Sequence, residues 1–257
     1  MYPVLFRVFG LPVHSYGLML AIAFGVGALI LRRLARQARI SDDCVVDLVL
    51  WACLGAIIGA RLLFVLLEWE YYSQYPEQLI SVSGGGLSGL SFHGGVIGGV
   101  VAGLLVVRRY GVNPWHMADL VAPLLALGTG IARFGCLLNG CCYGYVSRVP
   151  WAFPCAAVDS LPRHPTQLYA VVGNLLIFAW LWRRRGKLEY RGENALGYVI
   201  AYAVMRSVVE VWRDSQILFA PFKTTQVANA VIILLALIVN WRLAQNRQRQ
   251  GEGWAGE

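Results

Sequence analysis

Seven apolar stretches, each close to the length that crosses a lipid bilayer, constrain this chain more than any other feature. A transmembrane helix needs about 20 mostly apolar residues. Hydrophobic residues make up 58% of the 257-residue chain and charged residues only 14%, against about a quarter in soluble domains. We therefore predict an all-α polytopic membrane protein, a single integral membrane domain over 1–257, with seven transmembrane helices at 16–31, 45–67, 90–107, 117–138, 166–182, 195–212 and 225–241.

The basic residues predict the orientation. The cytoplasmic ends of membrane helices carry an excess of Lys and Arg. Of the 22 such residues, 14 follow spans one, three, five and seven, and five lie at the opposite ends. The N-terminus is therefore expected outside and the C-terminus in the cytoplasm. Only Arg7 precedes the first span, and no small-residue cleavage pattern follows it, so we expect a permanent helix rather than a signal peptide.

Three further arginines, Arg61, Arg133 and Arg206, lie within or at the edge of apolar spans. A charge at the bilayer centre costs about 2.5–3.5 kcal/mol, so each should face a protein or water-filled interior and meet an anion. The anion is either an internal carboxylate, from Asp119 or Glu210, or a ligand such as a lipid phosphate. Glu210 follows Arg206 by four residues, on the same helix face. We favour an ion pair for Arg61 and a ligand for the other two.

Polar clusters mark the predicted outer ends of the spans. One of them surrounds His93 with glycines, which accept positive φ angles. An imidazole there is a candidate general base, although a lone histidine is more often structural. We expect four clusters to meet at one face, at 14–17, 84–95, 133–144 and 163–169.

The six cysteines do not show a zinc pattern, because no two are spaced as Cys-x-x-Cys. If the outer face is oxidising, one disulfide drawn from Cys141, Cys142 and Cys155 is expected. The chain also lacks a phosphate-binding Gly-Lys-Ser/Thr loop, a nucleophile elbow and a His-Glu-x-x-His helix. These absences disfavour nucleotide-driven transport and common hydrolase chemistry. We predict no cofactor, no metal and no nucleic-acid partner.

Pairs of glycines four residues apart occur in spans two and three. They are Gly55 with Gly59 and Gly94 with Gly98. Such small-xxx-small pairs allow two helix backbones to approach closely. We therefore predict close packing of helices at these positions.

In chain order, the polar motifs resemble those of the prolipoprotein diacylglyceryl transferase family. The resemblance rests on His-Ser-Tyr-Gly at 14–17, Ser-Phe-His-Gly-Gly at 91–95, the stretch from Arg133 to Gly144 and Arg-His-Pro-Thr-Gln-Leu-Tyr at 163–169. It implies a seven-helix enzyme of the bacterial inner membrane with its active site toward the outer leaflet or periplasm. Such an enzyme moves the diacylglyceryl group of phosphatidylglycerol onto the lipobox cysteine of a preprolipoprotein and releases glycerol phosphate. We expect a monomer.

The implied reaction assigns roles to residues. Sulfur attacks the carbon that bears the phosphate ester, so the leaving phosphate gains charge, which Arg133 and Arg206 can stabilise. His93 is the first candidate to deprotonate the acceptor thiol, with Tyr16 as its neighbour or alternative. Glu210 is expected to hold Arg206 in place. The remaining expected substrate-binding positions are Arg61, Gly94, Gly95, Asn139 and Gly144.

Three positions depart from the pattern typical of the family. Cys136 stands where Asn is usual, and Cys141 and Ala170 stand where Glu is usual. The lost amide and carboxylates leave room for a paralogue with an altered lipid or acceptor. Two other classes remain as alternatives: a transporter or binding protein that holds an anionic lipid or solute between Arg133 and Arg206, and a non-catalytic scaffold.

Overall fold

The computed structural model describes residues 2–8, 11–80, 89–155, 158, 160–213, 217–219 and 222–252. Helices dominate this part of the chain. They are α1 (Ser15–Gln37), α2 (Asp42–Leu67), α3 (Trp69–Gln74), α4 (Phe92–Arg109), α5 (Pro114–Asn139), α6 (Thr166–Arg184), α7 (Glu193–Glu210) and α8 (Thr224–Glu252). A 3-10 helix covers Pro76–Ile80. Three antiparallel strand pairs join β1 (Val4–Val8) to β2 (Leu11–His14), β3 (Phe153–Pro154) to β4 (Pro162–Arg163), and β5 (Ile217–Phe219) to β6 (Phe222–Lys223).

Five of these helices, α1, α2, α4, α5 and α8, are long and apolar enough to cross a membrane. Large apolar side chains point outward from them, for example Leu29 at 71% exposure and Leu66 at 62%, as expected where lipid replaces water. The chain is thus a multi-pass, mainly helical membrane protein. Helices α6 and α7 coincide with predicted spans five and six but carry more polar residues, so the count of seven and the orientation remain predictions.

The described chain packs as two compact units, Met1–Leu31 with Trp115–Glu257, and Arg32–Pro114. The second unit is built on the pair α2 and α4. A Cβ added to Gly59 would lie 2.4 Å from the Gly94 carbonyl oxygen, and one on Gly98 would lie 2.1 Å from that of Gly55. No side chain fits in either place. The close packing predicted from the spacing of the glycines is confirmed.

Helices α5, α6 and α7 provide the core of the first unit. Its centre is a buried cluster of Ala122, Ala126, Ile177 and Leu181. Small residues on α5 allow the larger side chains of α6 to pack against it. The cluster therefore packs together the helices that carry most of the polar residues of the candidate site.

Asp119 has a different partner from the one expected. Its two carboxylate oxygens accept hydrogen bonds from the backbone N–H groups of Gly192, at 2.6 Å, and Ala195, at 3.0 Å. These groups belong to the start of α7, where backbone donors have no partner within the helix. Gly192 supplies the required turn with φ of +101°. Asp119 is thus a capping residue of α7 rather than the counter-ion of an intramembrane arginine.

The backbone around His93 is helical, in agreement with the span predicted at 90–107. Phe92 starts α4, and His93, Gly94 and Gly95 form its first turn. The Ser91 hydroxyl accepts from the Gly94 N–H at 3.5 Å, as an N-cap residue does. Of the glycines in this stretch that the structure describes, Gly89 alone has positive φ, +79°. Residues 84–88 of the predicted cluster lie outside the described part of the chain.

Candidate active site

Three arginines converge in the first unit. A small pocket, which we call the arginine pocket, is lined by Arg133, Arg206, Arg213, Cys142, Thr166, Gln167, Ala170 and Val209. Helix α5 supplies Arg133, α7 supplies Arg206, and Arg213 follows the end of α7. None of the described lining residues is a carboxylate. The pocket therefore carries a strong positive potential.

Glu210 is the anion closest to this cluster. It is 1% exposed, its carboxylate accepts from the Arg206 guanidinium, and Arg213 lies 4.0 Å away. The i, i+4 spacing left this ion pair open beside the ligand that we favoured for Arg206, and the structure contains the pair. Arg133, Arg206 and Arg213 together carry three positive charges, and the carboxylate of Glu210 carries one negative charge. The net charge of the group is therefore positive.

Arg133 and the nearby Lys223 are contacted by neutral groups. The guanidinium group of Arg133 lies near the Tyr202 hydroxyl. Lys223, which is buried, donates through Nζ to the Glu210 carbonyl oxygen at 2.7 Å and to that of Arg213. Lys223 thereby ties the segment after α7 to the end of that helix. Its contribution was not foreseen from the sequence.

The segment after α5 is pinned to the start of α6. The Thr166 hydroxyl donates to the Cys142 carbonyl oxygen, and the Gln167 amide to that of Cys141, each at 2.7 Å. Gly144 donates to the His164 carbonyl oxygen at 3.0 Å. A Cβ on Gly144 would lie 2.4 Å from the Trp212 carbonyl oxygen. The absence of a side chain at Gly144 therefore allows three segments to pass close together behind the pocket. This packing accounts for a glycine at position 144 without any contact to a substrate.

Two buried polar atoms on the pocket residues have no protein partner. They are Oε1 of Gln167 and Nε of Arg213. One is a hydrogen-bond acceptor and the other a donor. Leaving such a buried group unpaired costs about 1–3 kcal/mol. A ligand with both a hydroxyl group and an anionic oxygen would satisfy both.

Tyr16 lies near the same cluster. It occupies the first turn of α1, and its Cα would be 3.4 Å from a Cβ on Gly135. The missing side chain at Gly135 therefore lets α1 approach α5 next to Arg133. Asn139, the last residue of α5, lies near the Cys141 thiol and is not among the described residues that line the pocket.

Cys136, Cys141 and Cys142 form a cluster that the sequence spacing did not predict. Their Sγ atoms lie within 4.8 Å of one another. These thiols and that of Cys155 form no disulfide within the described chain, so the disulfide expected under oxidising conditions is not formed in the structure. Hydrogen bonds from the Cys136 and Cys141 thiols, together with the charges of Arg213 and Arg133, lower the pKa of the Cys142 thiol.

The remaining predicted site residues belong to the second unit. Arg61 donates to the carbonyl oxygens of Gly89, at 3.1 Å, and Gln78, at 2.9 Å, and lies 5.2 Å from the ring centre of Tyr72. These contacts are with neutral groups, and the ion pair that we favoured for Arg61 stays a prediction. His93 is exposed, while Gly94 is buried against α2. A role for these residues in substrate binding remains a prediction.

Arg213 and Gln167 are two polar pocket residues to which the sequence analysis assigned no role. A signal for Arg213 was present: Arg206, Glu210 and Arg213 are spaced by four and three residues, which places them on one helix face. Gln167 lies within the predicted polar cluster 163–169. Its orientation depends on the turn at the start of α6, which has no signature in composition.

Comparison with known proteins shows the family of the chain. The model of the prolipoprotein diacylglyceryl transferase family matches residues 3–242. The chain belongs to this family. The match includes both arginine-bearing helices and the segment between α5 and α6, so the family's sequence pattern extends across both compact units.

Curated relatives in the family are similar along nearly their whole length. A phosphatidylglycerol–prolipoprotein diacylglyceryl transferase of Acaryochloris marina is 34% identical, over 92% of this chain and 88% of its own. The corresponding proteins of Legionella pneumophila, at 34% identity over 93% and 94%, and Finegoldia magna, at 30% over 92% and 93%, match equally broadly. The resemblance noted in the sequence is confirmed.

Proposed function

We propose that the arginine pocket binds the phosphate of phosphatidylglycerol while the diacylglyceryl group is transferred to a lipobox cysteine. As a member of its family, the chain is a transferase that moves the diacylglyceryl group from phosphatidylglycerol to prolipoprotein. The observation that most strongly supports this proposal is the convergence of Arg133, Arg206 and Arg213 around a single carboxylate. A guanidinium group is planar and presents pairs of N–H donors, so it can bind two oxygen atoms of one phosphate at once.

The two unpaired polar atoms support the same lipid. Phosphatidylglycerol carries glycerol hydroxyl groups beside its phosphate. A hydroxyl can donate to Oε1 of Gln167, and a phosphate oxygen can accept from Nε of Arg213. The pocket encloses only about 10 Å³, room for roughly one water, so binding requires the long arginine side chains to move apart.

The charge balance of the reaction explains the need for several arginines. The acceptor thiolate attacks the glycerol carbon that carries the phosphate ester, a C–S bond forms, and the C–O bond to the phosphate breaks. The phosphodiester, with one negative charge, leaves as glycerol phosphate with a second charge on its ester oxygen. Fixed guanidinium groups aimed at that oxygen stabilise the transition state more than the ground state.

The acceptor thiol must lose its proton before it attacks. A free cysteine has a pKa of about 8.5 and is mostly protonated at neutral pH. His93 is the proposed base, and Tyr16, next to Arg133, is the alternative. In the first unit, Glu210 is proposed to orient Arg206, and Asn139 and Gly144 to maintain the wall behind the pocket. Arg61, Gly94 and Gly95, in the second unit, are further proposed substrate-binding residues.

The proposed location is the bacterial inner membrane, with seven spans, the N-terminus outside and the site toward the outer leaflet. This orientation is supported by the 14 basic residues at one set of span ends against five at the other. It would expose the site to an exported acceptor. We propose that the chain acts as a monomer, since all three pocket arginines come from one chain.

A topology experiment tests the orientation. A reporter fused after Trp241 should be active in the cytoplasm, and a cysteine or glycosylation tag near Tyr72 should be modified from outside. The expected labelling follows from the charge asymmetry across the spans. Labelling from the opposite side at both positions would reverse the orientation.

Release of glycerol phosphate tests the function directly. Purified protein in nanodiscs should release it from phosphatidylglycerol only when a peptide with a lipobox cysteine is present. The same peptide with Cys changed to Ser should give no release, because it supplies no thiolate. A transporter or a scaffold would release none with either peptide, and that result at full protein loading would refute the proposal.

A further inference from the structure

The thiols of Cys136, Cys141 and Cys142 converge beside the arginine pocket. Their Sγ atoms all lie within 4.8 Å of one another, with Cys136 buried and the other two partly buried. Two of the three, Cys136 and Cys141, stand at positions where the family pattern usually has Asn and Glu. The two residues that differ from the family pattern thus lie close together, and each carries a thiol where an amide or a carboxylate is usual.

The backbone is bent to bring these residues together. Cys136 lies in the last turn of α5, and the Cys141 N–H donates back to the Cys136 carbonyl oxygen at 3.1 Å. Gly140 and Cys142 both have left-handed conformations, with φ of +77° and +63°. Such a conformation is unfavourable for a residue with a side chain and is found mainly where the surrounding structure or a function requires it.

Three sulfur atoms at this spacing fit one metal ion. With metal–sulfur bonds of about 2.3 Å, as for Zn²⁺, the sulfur atoms of a planar three-coordinate site lie about 4 Å apart. This is within the observed limit of 4.8 Å. Thiolate is a soft ligand that selects Cu(I), Zn²⁺ and iron–sulfur clusters over hard cations.

The arginines favour an ion of low charge bound by thiolates. Three thiolates around a monovalent ion carry a net charge of −2, which the neighbouring Arg133 and Arg213 offset. A structural zinc site normally has four ligands. No fourth His, Cys, Asp or Glu joins the three within the described chain. Both the charge and the ligand number therefore favour Cu(I).

We propose that Cys136, Cys141 and Cys142 bind one Cu(I) ion through three thiolate sulfurs. On binding, three S–H groups lose their protons and three Cu–S bonds form, with no change in the oxidation state of copper or sulfur. Cys142 also lines the arginine pocket, so the two sites are adjacent and share this residue. The existence of the copper site does not depend on the proposed function.

Competitive titration tests the site. The full chain in detergent, reduced with a phosphine that is then removed under argon, is titrated with ascorbate-reduced copper against the chromophoric Cu(I) chelator bathocuproine disulfonate. We expect one Cu(I) per chain to be withdrawn from the chelator. X-ray absorption of the loaded protein should show three sulfur neighbours.

Single substitutions identify the ligands. Cys136→Ser, Cys141→Ser and Cys142→Ser should each lose the stoichiometric uptake, while Cys155→Ser and Cys53→Ser should retain it; far-UV circular dichroism confirms that each variant is folded. Uptake that survives all three of the first substitutions would overturn the proposal. So would a reduced wild-type protein that takes up no copper, including one that re-forms a disulfide between two of these thiols.

Discussion

Arg133→Ala and Arg206→Ala should each slow diacylglyceryl transfer by about 10²–10³ while the protein still inserts into the membrane. The two side chains lie in one pocket with Arg213, and the leaving glycerol phosphate gains a negative charge there. Removal of one fixed donor to a developing oxyanion costs about 2.7–4 kcal/mol of transition-state stabilisation. The measurement is glycerol phosphate release in nanodiscs of defined phosphatidylglycerol content.

Lysine at either position should restore only part of the rate. It keeps the charge but lacks the planar pair of donors that binds two phosphate oxygens at once. Arg191→Ala is the matched control, because Arg191 is exposed and follows α6, away from the pocket residues in sequence. Wild-type turnover in both alanine variants would show that the phosphate is held elsewhere.

His93→Gln should lower the rate with the prolipoprotein acceptor by about 10²–10⁴, the usual contribution of a general base. The expectation rests on the exposed imidazole in the first turn of α4 and on the need to deprotonate the acceptor thiol. Lipid binding, measured by retention of labelled phosphatidylglycerol, should be nearly unchanged.

The pH dependence distinguishes a base from a structural histidine. Protonation of the base removes activity at low pH, so the acidic limb of the wild-type rate profile should disappear in His93→Gln. Tyr16→Phe tests the alternative base, and His116→Gln serves as the control for loss of an imidazole. If His93→Gln keeps the acidic limb, the base is Tyr16 or no residue of the protein.

Local sequence was sufficient for the positions of the helices. The apolar stretch 45–67 became α2 at Asp42–Leu67, and 117–138 became α5 at Pro114–Asn139. A membrane helix satisfies its backbone within its own segment, so its position depends mainly on the apolar run and on the polar residues that end it. The same local spacing showed that Glu210 can pair with Arg206 and predicted close helix packing at Gly59 and Gly94.

Only the tertiary structure shows which distant segments contact the charged residues of the apolar spans. The sequence offered Asp119 as a counter-ion for an arginine in an apolar span, and we favoured an ion pair for Arg61. The fold gives Arg61 two backbone carbonyl oxygens and Asp119 two backbone N–H groups at the start of α7. These groups become available only where a loop or a helix end passes nearby, and sequence spacing does not encode that encounter.

The cysteine cluster shows the same division. By itself, the sequence determined a multi-pass helical membrane protein, its family and the two arginines of the pocket. Only the tertiary structure decided that Arg213 and Gln167 join them, and that positions 136, 141 and 142 place their sulfur atoms together. The reason is physical: a left-handed turn after a helix reverses the chain within a few residues, so side chains that a helix would point apart come to face one another.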